Sequence, residues 1–261
     1  MHLPIYVIDA FADRPLTGNP AAVCPLETWL PDATMQAIAA EMNHSETVFL
    51  VPQGDDFAIR WFTPIREVDL VGHATLAAGH LVLDRLRPGG RSVRFLSQSG
   101  ALTVSRESAG YAMDMPALPP SEVAPPPGLF AALGQSPRAV LAAKHYLVVF
   151  EHAEEVRTLA PDMAALAALD RPAVIVAAPG GEKGVDFVSR FFAPANGVPE
   201  DPVSGVAHCC LTPYWSRRLG KGTLVGRQLS KRGGIVRCVD RGDRVTLGGA
   251  AALFLEGTIR V

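Results

Sequence analysis

Residues 60–64 read Arg-Trp-Phe-Thr-Pro, and residues 190–194, almost half the chain further on, read Arg-Phe-Phe-Ala-Pro. An acidic residue follows each copy, Asp69 in the first and Asp201 in the second, and a glycine turn then leads into an apolar stretch. Chance similarity is the alternative, but the shared Asp and the shared turn favour an internal duplication. The sequence therefore predicts two related halves.

The residues around each copy predict the same order of elements. Apolar and aromatic residues at 59–62 and 188–192 are typical of strands, a loop with proline or glycine follows, and a helix is predicted over 73–83 and over 206–215. Residues 73–83 are apolar nearly all round, which indicates a helix buried inside a domain. Other short apolar runs predict that strands dominate and helices are few.

Two further segments have a local signature. Met35, Ile38 and Met42 lie at helical spacing, which predicts an amphipathic surface helix over residues 32–43 with Asp32 as its N-cap. Residues 116–127 contain six prolines, which is incompatible with a regular helix or a central strand. We interpret this segment as the interdomain linker.

Composition excludes several classes of protein. The chain has 261 residues, 48% of them hydrophobic, and its 24 Lys+Arg nearly cancel its 26 Asp+Glu, so a disordered chain, a nucleic-acid partner and an anionic membrane surface are not expected. No apolar run approaches the roughly 18 residues of a membrane span, and no signal peptide is recognised. The four cysteines lack C-x-x-C spacing. We expect reduced thiols and a cytoplasmic location.

The two glycine turns suggest a chemistry. A turn that leads into a helix presents backbone N–H groups and the positive end of the helix dipole, which together bind a carboxylate or a phosphate. Two such turns facing a common cleft would clamp a small acid and acidify its adjacent C–H without a cofactor. The alternative is that both turns only cap buried helices.

Three ionisable side chains lie close to these features: Glu46 before the strand predicted at 48–51, His73 at the first turn, and Asp201 before the second. They are candidates for acid, base and substrate anchor. Glu46 is alternatively an ordinary carboxylate at a helix end, and Asp201 a turn former. Asn19 is a candidate amide ligand, with a simple turn as the alternative.

Motifs for nucleotides and metals are missing from the sequence. It contains no G-x-G-x-x-G, no G-x-x-x-x-G-K-[ST], no H-E-x-x-H and no G-x-S-x-G. His208, Cys209 and Cys210 are consecutive in a predicted helix and so point in different directions, which does not suit one metal ion. We therefore predict no metal and no cofactor.

Several motifs together resemble one family. They are residues 7–11 (VIDAF), 18–23 (GNPAAV), 43–47 (NHSET), 60–64 (RWFTP), 69–75 (DLVGHAT), 190–194 (RFFAP), 200–205 (EDPVSG), 207–208 (AH) and 232–234 (RGG). With them the sequence resembles, nearly end to end, the phenazine-biosynthesis PhzF-like isomerases, which are relatives of diaminopimelate epimerase.

The resemblance implies an α+β fold of two pseudo-symmetric diaminopimelate-epimerase-like domains. Each domain is expected to be a curved, mainly antiparallel sheet around a central helix, with the active site between the two. We expect an N-terminal half over 1–116 and a C-terminal half over 117–251, with a last strand, about 252–261, that returns to the first half. A homodimer is also implied.

The resemblance also implies roles for residues. The glutamate of the N-x-S-E-T motif is the family's acid/base, which is Glu46 here, while His73 and Asp201 line the site. The residues expected to bind a small carboxylic acid substrate are Asn19, Gly72, Ala74, Ser204, Gly205 and Val206.

Two departures refine the expected function. The related epimerases use two opposed cysteines, where this chain carries Val71 and Pro202, so a two-thiol racemase is not expected. The family usually has a serine where Val206 stands, which favours a substrate smaller or less polar than the family's dihydro-hydroxyanthranilate. We expect a cofactor-independent isomerase of a small amino or hydroxy acid. The alternatives are a racemase or epimerase, which needs a second acid/base opposite Glu46, and a non-catalytic binding protein.

Overall fold

The computed structural model describes residues 1–261, in which strands dominate. The strands are β1 (His2–Ala10), β2 (Asn19–Pro25), β3 (Glu46–Gln53), β4 (Asp56–Phe62), β5 (Glu67–Val68), β6 (Ser92–Ser97), β7 (Gly100–Glu107), β8 (Gly110–Pro116), β9 (Ser121–Glu122), β10 (Ala139–Ala142), β11 (Tyr146–Val149), β12 (Val174–Pro179), β13 (Phe187–Ala193), β14 (Val198–Asp201), β15 (Thr223–Gln228), β16 (Gly234–Asp240), β17 (Arg244–Gly249) and β18 (Ala251–Arg260).

The helices are fewer and mostly short. They are α1 (Asp32–Met42), α2 (Gly72–Leu81), α3 (Leu129–Leu133), α4 (Ala153–Thr158), α5 (Met163–Ala167) and α6 (Gly205–Leu219), with a π-helical turn at Val82–Leu86 and a 3₁₀ turn at Pro194–Asn196. No helix is long and apolar enough to cross a membrane.

The chain divides into two compact units. The first comprises Met1–Met115 and Gly248–Val261, and the second comprises Pro116–Leu247. In the first unit β1 lies between β18 and β2, and β2 runs parallel to β3, which pairs antiparallel with β4. In the second, β11 and β12 are parallel neighbours and most other pairs are antiparallel.

Helix α2 is the centre of the first unit. Every residue of it except His80 is buried, and it contacts β1, β2, β3, β7 and β18. Its small residues allow these close contacts: a Cβ built on Gly79 would lie 2.4 Å from Cγ1 of Val104 on β7. The prediction of a buried helix here is confirmed, although its last predicted residues lie in the π-helical turn.

Helix α6 is the corresponding long helix of the second unit and contacts β15 and β16. It extends to Leu219, beyond the predicted end at residue 215, because Gly220 closes it in a left-handed conformation. Pro213 lies inside it. Since proline has no N–H, the carbonyl of Cys209 one turn earlier lacks its helical donor, and the N–H of Leu118 donates to it instead at 2.9 Å.

Two sequence predictions are wrong in detail. Pro31, not Asp32, is the N-cap of α1, and no side chain caps that end, because the carboxylate of Asp32 is paired with Arg60 at 2.8 Å. Residues 116–127 begin where the chain passes from the first unit to the second, but they belong to the second unit and are not a separate linker. Ala117 and Leu118 donate hydrogen bonds within that unit, and β9, which contains no proline, pairs with β10.

We predict that Gly79→Ala destabilises the protein. In an open helix this change stabilises because glycine loses more entropy on folding, but here the new methyl group meets Val104. We expect a loss of about 1–3 kcal/mol in the free energy of unfolding, measured by urea titration. Gly222→Ala is the control, because nothing lies within 4 Å of its Cβ position. Equal stability of the two variants would contradict the close packing of α2 on β7.

Candidate active site

Glu46 is placed by the end of α1 and the start of β3. Asn43 closes α1 in a left-handed conformation, and its N–H donates to the carbonyl of Ala39. The chain then enters β3, where Glu46 is the first residue and pairs in parallel register with Ala21 of β2. Its side chain is 15% exposed, so the carboxylate is mostly buried but open enough to meet a ligand.

His73 lies in the first turn of α2. Val71 is the N-cap of this helix and no side chain caps it. The residues of the first turn, Gly72, His73 and Ala74, are all buried. The N-cap side chain therefore uses none of the first N–H groups of this helix.

Glu46 and His73 meet in the first unit, with Nε2 of His73 3.3 Å from Oε2 of Glu46. Burial and, to a smaller extent, the charge of nearby His44 lower the pKa of His73 to about 3. At neutral pH the imidazole is therefore uncharged. The two facing atoms make no hydrogen bond with each other. An uncharged imidazole beside the carboxylate does not weaken it as a base, as an imidazolium would.

Asp201 is the last residue of β14 in the second unit and is buried. Two residues separate it from Ser204, the N-cap of α6, whose Oγ accepts from the N–H of Ala207 at 3.2 Å. Gly205 is buried, and Val206 is half-buried in the first turn. The residues predicted from the second glycine turn thus lie together at one helix end.

An equivalent ion pair precedes the helix in each unit. Arg60 on β4 binds Glu67 on β5 through two of its nitrogens, Nε and Nη2, at 2.7 and 2.6 Å. Arg190 on β13 binds Glu200 on β14 in the same bidentate way, at 2.7 and 3.0 Å. Each guanidinium also lies over the ring of the phenylalanine two residues further on, which completes the likeness between the two motifs.

The other predicted site residue, Asn19, is the first residue of β2 and is buried. The structure brings Glu46 and His73 into contact in the first unit, and groups Asp201 with Ser204, Gly205 and Val206 in the second.

The sequence did not predict Gln228, a fully buried residue whose side chain hydrogen-bonds to the backbone of Asp201 and Ser204. Nothing in a single glutamine at a strand end could have revealed it.

Solved structures define the class of fold. A PhzF-family protein from Enterococcus faecalis is 44% identical, with a TM-score of 0.94 and complete coverage of both chains. A hydroxyproline epimerase from Agrobacterium vitis has a TM-score of 0.64 at 9% identity, over 99% of this chain and 91% of that one, a likeness of fold alone. The predicted α+β epimerase-like fold class is therefore confirmed.

Sequence comparison then gives the family. The model for phenazine biosynthesis-like proteins (PhzC-PhzF) matches residues 8–257. Two proteins of Pseudomonas aeruginosa, each named an uncharacterized isomerase, are 50% and 48% identical over the whole of both chains. The chain belongs to the phenazine biosynthesis-like family, as its motifs predict.

The burial of neutral His73 predicts an acid-sensitive fold. Because the pKa of His73 is about 3 in the folded protein and 6.5 ordinarily, the unfolded chain binds more protons between these values. The free energy of unfolding therefore falls as the pH falls from 6.5 towards 3, by about 1.4 kcal/mol per pH unit for this group. His208, whose pKa burial lowers to about 4, adds to the slope.

Urea titrations at several pH values between about 7 and 5 measure how the free energy of unfolding depends on pH. We expect His73→Gln to remove the part of this dependence that comes from His73. His208→Gln is the matched variant in the second unit, and it should remove a similar share. A slope that His73→Gln leaves unchanged would show that His73 is not held in the uncharged form.

Proposed function

We propose that the protein is a cofactor-independent isomerase that moves a proton between two carbons of a small amino or hydroxy carboxylic acid. The observation that carries the proposal is the contact between Glu46 and an uncharged, buried His73 at the start of α2. The isomerase names of the relatives support the same reaction class. The cytoplasmic location expected from the cysteines and the homodimer expected from the resemblance belong to this proposal as well.

In the proposed reaction Glu46 carries the proton. Its carboxylate accepts a proton from a C–H next to the substrate's carboxyl or carbonyl group, and the electron pair of that C–H bond moves into the conjugated system. The protonated Glu46 then returns the proton to a second carbon. One C–H bond is broken and another is formed, so no oxidant or reductant is needed. Uncharged His73 lies beside the carboxylate and does not weaken it as a base.

The remaining residues hold the substrate in this proposal. Ser204 already occupies the N–H of Ala207, so the N–H groups of Gly205 and Val206 are those of α6 that we assign to the substrate's carboxylate. Asp201 binds its amino or hydroxyl group. In the first unit we assign polar contacts to Asn19 and to the backbone of Gly72 and Ala74. The apolar side chain of Val206 favours a small substrate.

The test is hydrogen exchange followed by ¹H NMR in deuterated water, with a panel of cyclic and acyclic amino and hydroxy acids. We expect the protein to incorporate deuterium into one class of acid, and Glu46→Gln to reduce the rate by about 10²–10⁴-fold, because the proton carrier is removed. Glu107→Gln is the control, since Glu107 is an exposed carboxylate of the same unit.

The outcomes separate the candidate functions. Exchange that survives Glu46→Gln would show that another group is the base. Exchange at a stereocentre with inversion, and without a shifted double bond, would identify a racemase or epimerase instead. Ligand binding without exchange across the panel would leave a binding protein and overturn the proposed reaction.

A further inference from the structure

The turn at residues 201–204 is held by side chains from a distant part of the second unit. Gln228, the last residue of β15, donates from Nε2 to the carbonyl of Asp201 at 2.6 Å, and its Oε1 accepts from the N–H of Ser204 at 2.9 Å. Ser230 donates from Oγ to the carbonyl of Pro202 at 2.7 Å. We call Gln228 and Ser230 the clamp.

The clamp residues are themselves fixed. Gln228 is fully buried, so its amide cannot exchange these partners for water, and both ends of the amide are used. The N–H of Gly233 donates to Oγ of Ser230 at 3.0 Å, which leaves the hydroxyl proton for Pro202. Gly233 has a φ of +66°, a conformation that suits glycine, and this accounts for a glycine in the Arg-Gly-Gly motif.

His208 of α6 also binds the backbone of this turn. Its Nδ1 lies 2.7 Å from the carbonyl of Ser204, and because a carbonyl only accepts, Nδ1 carries the proton. Side chains therefore bind the carbonyls of Asp201, Pro202 and Ser204 and the N–H of Ser204. Because its polar backbone groups are bound on both sides of residue 203, the turn has little freedom to change its orientation.

The corresponding turn of the first unit is held differently. There the carbonyl of Asp69 accepts from Oγ of Ser99 at 2.8 Å, and both residues are exposed. Hydrogen bonds in contact with water contribute less and exchange readily. A clamp that includes the fully buried Gln228 is thus a feature of the second unit and is not a necessary part of the duplicated motif.

We propose that Gln228 and Ser230 are positioning residues that aim the carboxylate of Asp201 and the first N–H groups of α6 at the substrate. This inference rests on the proposed function, in which those groups orient the reacting acid. Misplacing an orienting group by a fraction of an ångström slows the chemical step more than it weakens binding. The clamp therefore acts mainly on kcat.

The experiment compares graded variants. Gln228→Leu loses both hydrogen bonds, whereas Gln228→Glu keeps the acceptor for Ser204 and loses the donor to Asp201. Ser230→Ala loses the hydroxyl, whereas Ser230→Thr keeps it. Gln36→Leu is the control, because Gln36 also donates to a backbone carbonyl, that of Thr63, but in the first unit.

The first readout needs no substrate. Amide hydrogen exchange by NMR should show Ser204 and its neighbours exchanging about 10-fold faster or more in Gln228→Leu than in the wild type, because a buried hydrogen bond is lost. Gln36→Leu should leave these amides unchanged. Unchanged exchange at residues 201–207 in Gln228→Leu would overturn the clamp.

The second readout is turnover of the acid found by the exchange panel. We expect Gln228→Leu and Ser230→Ala to lower kcat by about 10- to 100-fold with a smaller change in KM, and Ser230→Thr to restore most of the rate. Loss of stability with kcat unchanged would overturn the positioning role. If the wild type turns over no acid, the proposed function fails, and amide exchange alone then decides whether the clamp fixes the turn.

Discussion

The burial of α2 on all sides constrains the rest of the first unit. Every residue of this helix except His80 is buried and it contacts five strands, so its ends are the places where its backbone can meet a ligand. The N-terminal end follows directly from β5, and α2 also packs on β3, whose first residue is Glu46. The buried helix therefore brings His73 to the carboxylate, and the low dielectric that keeps His73 uncharged is a consequence of the same packing.

The Arg–Glu pairs explain how each turn keeps its position. Arg60 and Arg190 are largely buried and each binds a glutamate with two donors, an arrangement that fixes distance and angle together. Arg190 also donates to the carbonyls of Val156 and Leu159, so β13 is bonded to the C-terminal end of α4. Removal of either partner would leave a poorly solvated charge, so the motif is expected to tolerate little change.

Repetition made much of the fold predictable from the sequence. The repeated Arg-aromatic-Phe-x-Pro motif, the apolar stretch after each turn and the family motifs indicated the fold class, the family and both long helices. What could not be predicted depends on groups that are distant in sequence. The bond from Leu118 to the carbonyl freed by Pro213 and the pairing of Asp32 with Arg60 are of this kind. A cap or a linker assigned from local residues fails where a remote partner competes for the same group.

The same reasoning applies to the site. Glu46, His73 and Asp201 lie in motifs that a sequence can reveal, because each motif has several neighbouring residues. Gln228 and Ser230 are single polar residues whose role depends on a turn more than twenty residues earlier, and their pattern is ordinary for a strand end.

The two units also differ in the side chains that bind the N-terminal ends of α2 and α6. The first helix end has no side-chain cap and lies beside the proposed proton carrier, whereas the second has the Ser204 cap and the clamp. In the proposed reaction the carboxylate of Glu46 takes a proton from one carbon of the substrate and returns it to another. The groups that orient the substrate must keep their positions meanwhile. A buried glutamine holds the turn of the second unit, and an exposed hydrogen bond from Ser99 holds the turn of the first. This difference agrees with the two roles in the proposed reaction.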